Sequence, residues 1–382
     1  MAKILTASLM ILSVLNIRLG FFSLPDLMLV IFLCYLFTFK KNIHLSSNTI
    51  FIITISIVLY LSSAQLSGYT NFNDEISFYG FLYKYLFITF LFIIFTNISI
   101  EEDFLFKLVF ICWAILAVWA LYYAFFLIGN PLLSILIPNQ ISFPGTGTGD
   151  SINSDSHLFA YVVGALGLYL TLFSSTFKKP LFFLVTLFII LLTGSRNPLA
   201  LFGVLLLFYF LNSRVERKIA VIFFIILLVP FIASQLNFLE EILPSMRSLQ
   251  FDFINDSSAG NRIKKLLIAL DEYKQGSLFF GQSVFGTSMT WVDGIHTILL
   301  IHFGPFGLVI YLTWIVYFFT KLYYLSLEGS EKALKILYLS IYIFIGLFIT
   351  EFILVSRGAA LVLIPLIILT TNLNNNRTHQ GL

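Results

Sequence analysis

The chain has 382 residues, of which 59% are hydrophobic and 11% are charged, and its formal net charge is +3. A soluble domain carries about 25% charged residues, so the composition excludes an ordinary soluble protein. The sequence also lacks the basic tract of a nucleic-acid-binding protein. Long apolar runs recur from residue 4 to residue 371, and a run of about 20 such residues crosses a bilayer as a helix. The fold class predicted is an all-α polytopic membrane protein.

Twelve apolar segments are predicted to be transmembrane helices. In chain order they cover 4–19, 22–39, 49–66, 81–98, 108–128, 158–176, 181–195, 198–211, 219–235, 295–320, 335–350 and 353–371. We expect the first to be a retained span rather than a cleaved signal peptide, because no small-residue cleavage site follows it.

The distribution of Lys and Arg predicts how these spans are oriented. With the N-terminus inside, thirteen of the 22 basic residues fall on the cytoplasmic side, and five of the other nine lie in one long outer loop. Long translocated loops contribute little to this rule. We therefore expect a multi-pass inner-membrane protein with both termini in the cytoplasm.

Two outer segments interrupt the series of spans. The shorter one, near 129–157, contains Pro-Gly-Thr-Gly-Thr-Gly-Asp at 144–150; no strand precedes it and no Lys-Ser/Thr follows, so we interpret it as a flexible loop. The longer one, 236–294, has apolar residues at helical spacing between Ile263 and Tyr273, which predict a short amphipathic helix. The chain thus divides into 1–235 with nine spans, the long loop 236–294, and 295–382 with three spans and a C-terminal tail.

Two arginines lie at predicted outer ends of spans. Arg196 stands in Thr-Gly-Ser-Arg-Asn-Pro at 193–198, and Arg357 stands in Ser-Arg-Gly-Ala at 356–359. A cation at this depth is costly unless it is paired or faces water, so both are functional candidates. The alternative for Arg196 is an interfacial arginine that reaches lipid headgroups. The alternative for Arg357 is a structural ion pair with Glu351.

The long loop and its return to the membrane supply two more candidates. Arg262 begins the predicted loop helix, although an exposed loop arginine is usually only solvated. His296 stands where the loop re-enters the membrane, in Asp-Gly-Ile-His-Thr at 293–297. Histidine exchanges a proton near neutral pH, so His296 is a candidate general base, with a capping or core role as the alternative. His157 and His302 are too scattered to complete a metal site with it, and we expect no metal.

These motifs, in this order, resemble the bacterial O-antigen polymerase and O-antigen ligase superfamily. The resemblance covers mainly residues 150 to 360. It rests on Leu-Leu-Thr-Gly-Ser-Arg at 191–196, on Gly-Asn-Arg-Ile at 260–263 and Phe-Phe-Gly-Gln at 279–282, and on the Gly-Ile-His-Thr re-entry followed by Gly-Pro-Phe-Gly at 304–307. The sequence departs from the family in having Thr297 after the histidine and no aromatic residue after Arg262.

The resemblance implies a membrane glycosyltransferase that uses a glycan linked through pyrophosphate to a polyprenyl lipid. It implies that Arg196, Arg262 and His296 are essential. From the chemistry of these residues we expect His296 to be the catalytic base and Arg196 and Arg262 to bind the pyrophosphate, with Arg357 as a third cation. A planar guanidinium suits paired phosphate oxygens. The resemblance also implies a chain-length regulator and a flippase as partners, and it requires no cofactor.

Three functions remain open at this point. A polymerase would join lipid-linked repeat units, and the sequence favours it through its Phe-, Ile- and Asn-rich composition. A ligase would transfer a finished glycan to a lipid A core. A transporter would need ionisable residues near the middle of the membrane and repeated halves, and Asp26 is the one acidic residue placed in an early span.

Overall fold

The computed structural model describes residues 1–15, 18–19, 22–39, 43, 75–123, 152–175, 178–193, 195–212, 294–349 and 356–380, and several shorter pieces between 267 and 281. Over these residues the chain forms ten helices and one antiparallel pair of two-residue strands. The elements are α1 (Ala2–Leu15), β1 (Arg18–Leu19), β2 (Phe22–Ser23), α2 (Leu24–Phe39), α3 (Glu75–Thr96), α4 (Glu102–Tyr122), α5 (Ile152–Phe173), α6 (Lys179–Thr193), α7 (Arg196–Asn212), α8 (Ile295–Leu327), α9 (Glu331–Ile349) and α10 (Ser356–Gln380).

The ten helices overlap ten of the twelve predicted spans, while 49–66 and 219–235 lie outside the described residues. Among the described residues, three helical segments are long and apolar enough to cross a membrane: Glu102–Tyr122, Ile295–Leu327 and Arg357–Asn374. Their outward faces carry exposed apolar side chains such as Val118 and Val316, which favours contact with lipid rather than water. The described positions between 267 and 274 are helical as well, in the segment where the sequence predicts the loop helix.

Helix α8 is broken within the segment that the sequence treats as one span. Gly304 has φ 65° and ψ −170°, which are not helical angles, and Pro305 follows it. Proline cannot donate a backbone hydrogen bond and is tolerated at the start of a helix. The helix therefore consists of a short part, 295–303, about 13 Å long, and a part of membrane-spanning length, 305–327, about 34 Å long. The uninterrupted helix of membrane-spanning length begins at Pro305, ten residues after the start of the predicted span at 295.

Small residues let the central helices approach closely. A methyl group at Gly164 of α5 would overlap the ring of Tyr342 on α9, and one at Gly167 would overlap Thr186 on α6. The hydroxyl of Thr186 also accepts a hydrogen bond from the Trp113 indole of α4 at 3.0 Å. Small residues and interhelical hydrogen bonds of this kind are how helices associate where lipid removes the hydrophobic driving force.

Asp26 lies at the start of α2 and serves its first turn. Its carboxylate accepts a hydrogen bond from the Ser23 backbone N–H at 2.8 Å, the reciprocal arrangement of a helix N-terminal capping box. Ser23 is also paired with Arg18 across the β1–β2 strands. Asp26 therefore has a local structural role at a helix end.

One end of the bundle carries a set of lysine contacts, and we call it the basic end. Lys3 pairs with Glu101 at 2.9 Å, Lys332 pairs with Glu102, and Lys335 pairs with Glu331 at 2.8 Å. The hydrogen bond from Lys335 and its charge hold the pKa of the Glu331 carboxyl below its usual value. These contacts bring together the starting ends of α1, α4 and α9.

Aromatic rings add further contacts at the basic end. The Lys335 amine lies 5.8 Å from the centre of the Phe173 ring at the end of α5. Lys179, at the start of α6, is buried and donates a hydrogen bond to the Tyr209 hydroxyl near the end of α7 at 3.4 Å. The ends of α5 and α7 and the start of α6 therefore belong to this end as well.

Candidate functional site

Three of the candidates, Arg196, His296 and Arg357, stand at helix starts opposite the basic end. Phe173, the last residue of α5, lies at the basic end, so His157 near the start of α5 lies toward the opposite end. Helix α6 starts and α7 ends at the basic end, so the connection between them, at Ser195 and Arg196, also lies at the opposite end. A hydrogen bond from the Asn372 amide to the Ile100 carbonyl, 3.0 Å long, holds the later part of α10 near the basic end. The beginning of α10 is therefore at the far end.

The break in α8 belongs to the same far end. Helix α8 finishes at Leu327, shortly before α9 starts at Glu331 in the basic end. Pro305 is about 34 Å away along the helix axis, and the short part with His296 continues from it. We call this end of the bundle the site end. It is defined by the chain positions 157, 195–196, 295–304 and 356–357.

The turn between α6 and α7 is held by hydrogen bonds. The Thr193 hydroxyl donates to the Ile190 carbonyl at 2.6 Å and accepts from the Ser195 backbone N–H at 3.3 Å. Ser195 is buried, and its Oγ shares a hydrogen bond with Nδ1 of His157 across 2.9 Å. This bond connects the start of α5 to the residue that precedes Arg196. The Arg196 backbone begins α7, and its side chain lies outside the described part of the structure.

The two other described candidates occupy matching positions at their helix starts. Arg357 is the second residue of α10 and is buried, with 5% of its surface exposed. His296 is the second residue of α8 and is half-buried, and it follows Gly294, whose φ is 91°. His302, farther along the short part of α8, is buried. Arg262 and Glu351 lie outside the described residues.

Two glycines bring the long loop against the break in α8. Gly281 and Gly304 both have positive φ angles, 69° and 65°. A methyl group on Gly281 would overlap the Ile301 carbonyl, and one on Gly304 would overlap the Phe279 carbonyl. The Phe306 backbone N–H donates to that same Phe279 carbonyl at 3.4 Å. The crossing therefore requires glycine on both sides, and it fixes the loop segment against the start of the spanning part of α8.

Sequence reasoning did not find two features of this end. One is the pairing of His157 with Ser195. The sequence did contain a clue to it, because His157 begins one predicted span and Ser195 ends another on the same, outer side. The other is the crossing of Gly281 and Gly304, two glycines from separate motifs of the resemblance. In the described residues, no group of three or more His, Cys, Asp or Glu side chains is placed to hold a metal ion.

No protein-family model matches the chain, and no curated protein matches it either.

Proposed function

We propose that this chain is a surface-polysaccharide polymerase, an inverting glycosyltransferase that joins polyprenyl-pyrophosphate-linked oligosaccharide repeat units on the periplasmic face of a bacterial inner membrane. The observation that carries this proposal is the distribution of cationic and histidine residues along the bundle. The starts of the helices with Arg196, His296 and Arg357 share one end, and the lysines paired with acidic or aromatic side chains share the other.

The proposed topology has twelve spans with both termini in the cytoplasm. Lysine-rich ends of membrane helices favour the cytoplasmic side, so the basic end faces the cytoplasm and the site end faces the periplasm. The loop 236–294 then lies on the periplasmic side and rests on α8 through Gly281. This arrangement places His296 and the arginines where a lipid-linked glycan in the outer leaflet can reach them.

The proposed reaction is a single displacement at the anomeric carbon of the donor sugar. A hydroxyl oxygen of the acceptor sugar attacks C1, the bond from C1 to the pyrophosphate oxygen breaks, and the configuration inverts. His296 takes the proton of the attacking hydroxyl as general base. Polyprenyl pyrophosphate leaves with the bonding electrons, and Arg196, Arg262 and Arg357 stabilise its growing negative charge.

The substrate itself supplies the activation for this reaction. A sugar pyrophosphate is already a good leaving group, so the mechanism uses no nucleotide and no cofactor. Partners in the proposal are the lipid-linked oligosaccharide, the bilayer, a chain-length regulator and a flippase.

One observation bears on the transporter alternative. A coupled transporter keeps ionisable residues near the middle of the membrane. Asp26, the early acidic residue that the sequence offers for such a role, accepts a hydrogen bond from the Ser23 backbone at the start of α2. Its position at a helix end supports the enzyme over the transporter.

The test is complementation of a strain that lacks this gene, with surface polysaccharide separated on a gel. The wild-type chain should restore a ladder of polymer lengths, whereas His296→Ala and Arg196→Ala should leave a single-repeat band. A lost general base alone costs about a hundredfold or more in rate. Matched controls are His379→Ala and Arg377→Ala, which make the same changes near the end of α10, and both should keep the ladder.

Membrane levels of every variant are measured by immunoblot. If the wild-type chain instead attaches long, preformed, lipid-linked chains to a core acceptor, the protein is a ligase. If His296→Ala and Arg196→Ala both match the wild-type ladder, the catalytic assignment is wrong and the transporter becomes the better proposal.

A further inference from the structure

The hydrogen bond between Ser195 and His157 joins residues 38 positions apart in the chain. It links the start of α5, where the 129–157 segment ends, to the turn between α6 and α7. Ser195 is buried, with 1% of its surface exposed, whereas His157 is half-buried. The serine is thus enclosed in the protein and the imidazole lies nearer the surface of the site end.

The structure describes three hydrogen bonds in this turn, in which Gly194 and the Arg196 side chain lie outside the described residues. Thr193 bonds to the Ile190 carbonyl and to the Ser195 N–H, and both of those bonds stay within the turn and the last residues of α6. The bond to His157 reaches a different helix. It therefore ties the residue before Arg196, the first residue of α7, to α5.

We propose that His157 is a positioning residue for the pyrophosphate-binding arginine: it holds Ser195 and, through Ser195, orients the backbone from which Arg196 extends. The inference rests on the proposed function, because it takes Arg196 to bind the pyrophosphate of the donor. Misplacement of a binding group by about 1 Å costs up to roughly a hundredfold in rate, so a lost anchor at this turn has a large effect on the reaction.

A nucleophilic role for the same pair fits the structure less well. A hydroxyl next to an imidazole can act as a nucleophile activated by a base. Ser195 Oγ, however, is buried and already bonded to His157, on a serine with 1% exposure. A bulky glycan donor has no access to an atom so enclosed, and the pair is therefore assigned to orientation.

Three substitutions at one position separate the hydrogen bond from the presence of a histidine. The side-chain amide of Asn places a polar atom close to where Nδ1 of histidine lies, whereas the amide of Gln reaches toward the position of Nε2. His157→Asn should therefore retain the bond to Ser195 and keep the polymer ladder near wild type. His157→Ala and His157→Gln should each reduce polymer about ten- to a hundredfold at unchanged membrane level.

The partner is tested by a double-mutant cycle. Ser195→Ala should reduce polymer as much as His157→Ala, and the double variant should be no worse than either single one, because each removes the same bond. Thr171→Val is the matched control, since it deletes a buried hydroxyl bonded at 2.8 Å to the Gly167 carbonyl near the other end of α5. It should keep the ladder.

A binding measurement keeps this inference separate from the proposed reaction. Purified protein is heated with and without farnesyl pyrophosphate, a short lipid pyrophosphate used as the probe. The probe should raise the melting temperature of wild type and His157→Asn and raise that of His157→Ala much less. If wild type gives no polymer ladder but shows this pattern, the polymerase proposal fails and the positioning role stands.

Four outcomes overturn the inference. One is a His157→Ala variant that matches wild type in both ladder and probe binding. Another is a His157→Asn variant as poor as His157→Ala. The third is a double variant whose loss is the product of the two single losses, which would mean that the residues act independently. A wild-type protein that shows no response to the probe also contradicts it.

Discussion

At the scale of single residues, Arg357 has two competing roles that substitution can separate. Arg357 is buried near the start of α10, with 5% of its surface exposed, and a cation at such a position is costly unless it is paired or faces a polar cavity. The sequence offers two partners for it, the pyrophosphate of the substrate and the carboxylate of Glu351. Binding the pyrophosphate needs the planar, forked geometry of the guanidinium, whereas an ion pair with Glu351 needs only the positive charge.

Substituting Arg357 by Lys keeps the positive charge and removes the paired donors of the guanidinium. If Arg357 binds pyrophosphate, Arg357→Lys should reduce the polymer ladder about tenfold or more, since a lost charge-assisted hydrogen bond is worth at least about one tenfold step. Its membrane level should remain unchanged. Ladder intensity and immunoblot on the same membranes measure the two quantities.

The matched variant is Glu351→Gln, which removes only the carboxylate charge. It should leave the ladder intact if Arg357 serves the substrate. If Arg357→Lys instead keeps the ladder while Glu351→Gln lowers the membrane level, only the charge of Arg357 is needed, and Arg357 is a structural ion-pair residue that does not bind the pyrophosphate.

At the scale of helices, the positions of most elements could be predicted from the sequence, because each is an apolar run bounded by polar or turn residues. The break in α8 could not be predicted in this way. The residues from Leu299 to Phe306 are mostly apolar, so hydropathy continues through Gly304 and Pro305 without a signal. The Gly-Pro pair at 304–305 is a helix-breaking signal that hydropathy does not register, and the structure adds a tertiary contact there, the approach of Gly281 from a segment more than twenty positions earlier.

The glycine crossing predicts a paired loss of function. Gly281→Ala and Gly304→Ala each place a methyl group against the backbone of the other segment, at a positive φ angle. Either change should release the loop from α8 and strongly reduce the polymer ladder. Hydrogen exchange of the segment around 279–281 should become faster in both variants.

Gly329 supplies a control that separates crowding from backbone strain. It has φ 90° in the turn between α8 and α9, and nothing lies within 4 Å of the position of an added methyl group. Gly329→Ala should therefore lower the free energy of unfolding only by the cost of placing alanine in a left-handed conformation, about 1–2 kcal/mol. It should retain the ladder. Equal losses of polymer in all three variants would mean that the crossing contributes nothing specific.

At the scale of the whole molecule, the structure separates a lysine-rich end from an end with histidine and arginine positions. The sequence could predict this separation, because alternating spans assign each loop to a side. It could not predict which residues of the site end meet, since the contact of His157 with Ser195 joins distant parts of the chain. The side of the membrane that each end faces follows from the proposed topology, and it can be measured directly.

Single cysteines at the two ends measure that topology. In a background with Cys34→Ser and Cys112→Ala, we expect Leu278→Cys to react with a membrane-impermeant maleimide in cells whose outer membrane alone is permeabilised. Leu278 is 69% exposed and lies in the loop segment beside Gly281. Glu328→Cys, at the exposed turn between α8 and α9, should react only after the inner membrane is opened. The cysteine-free chain should not react, and both single-cysteine chains should react in detergent. A reversed pattern would place His296 and the arginines in the cytoplasm, away from a periplasmic lipid-linked donor, and would contradict the polymerase proposal at its foundation.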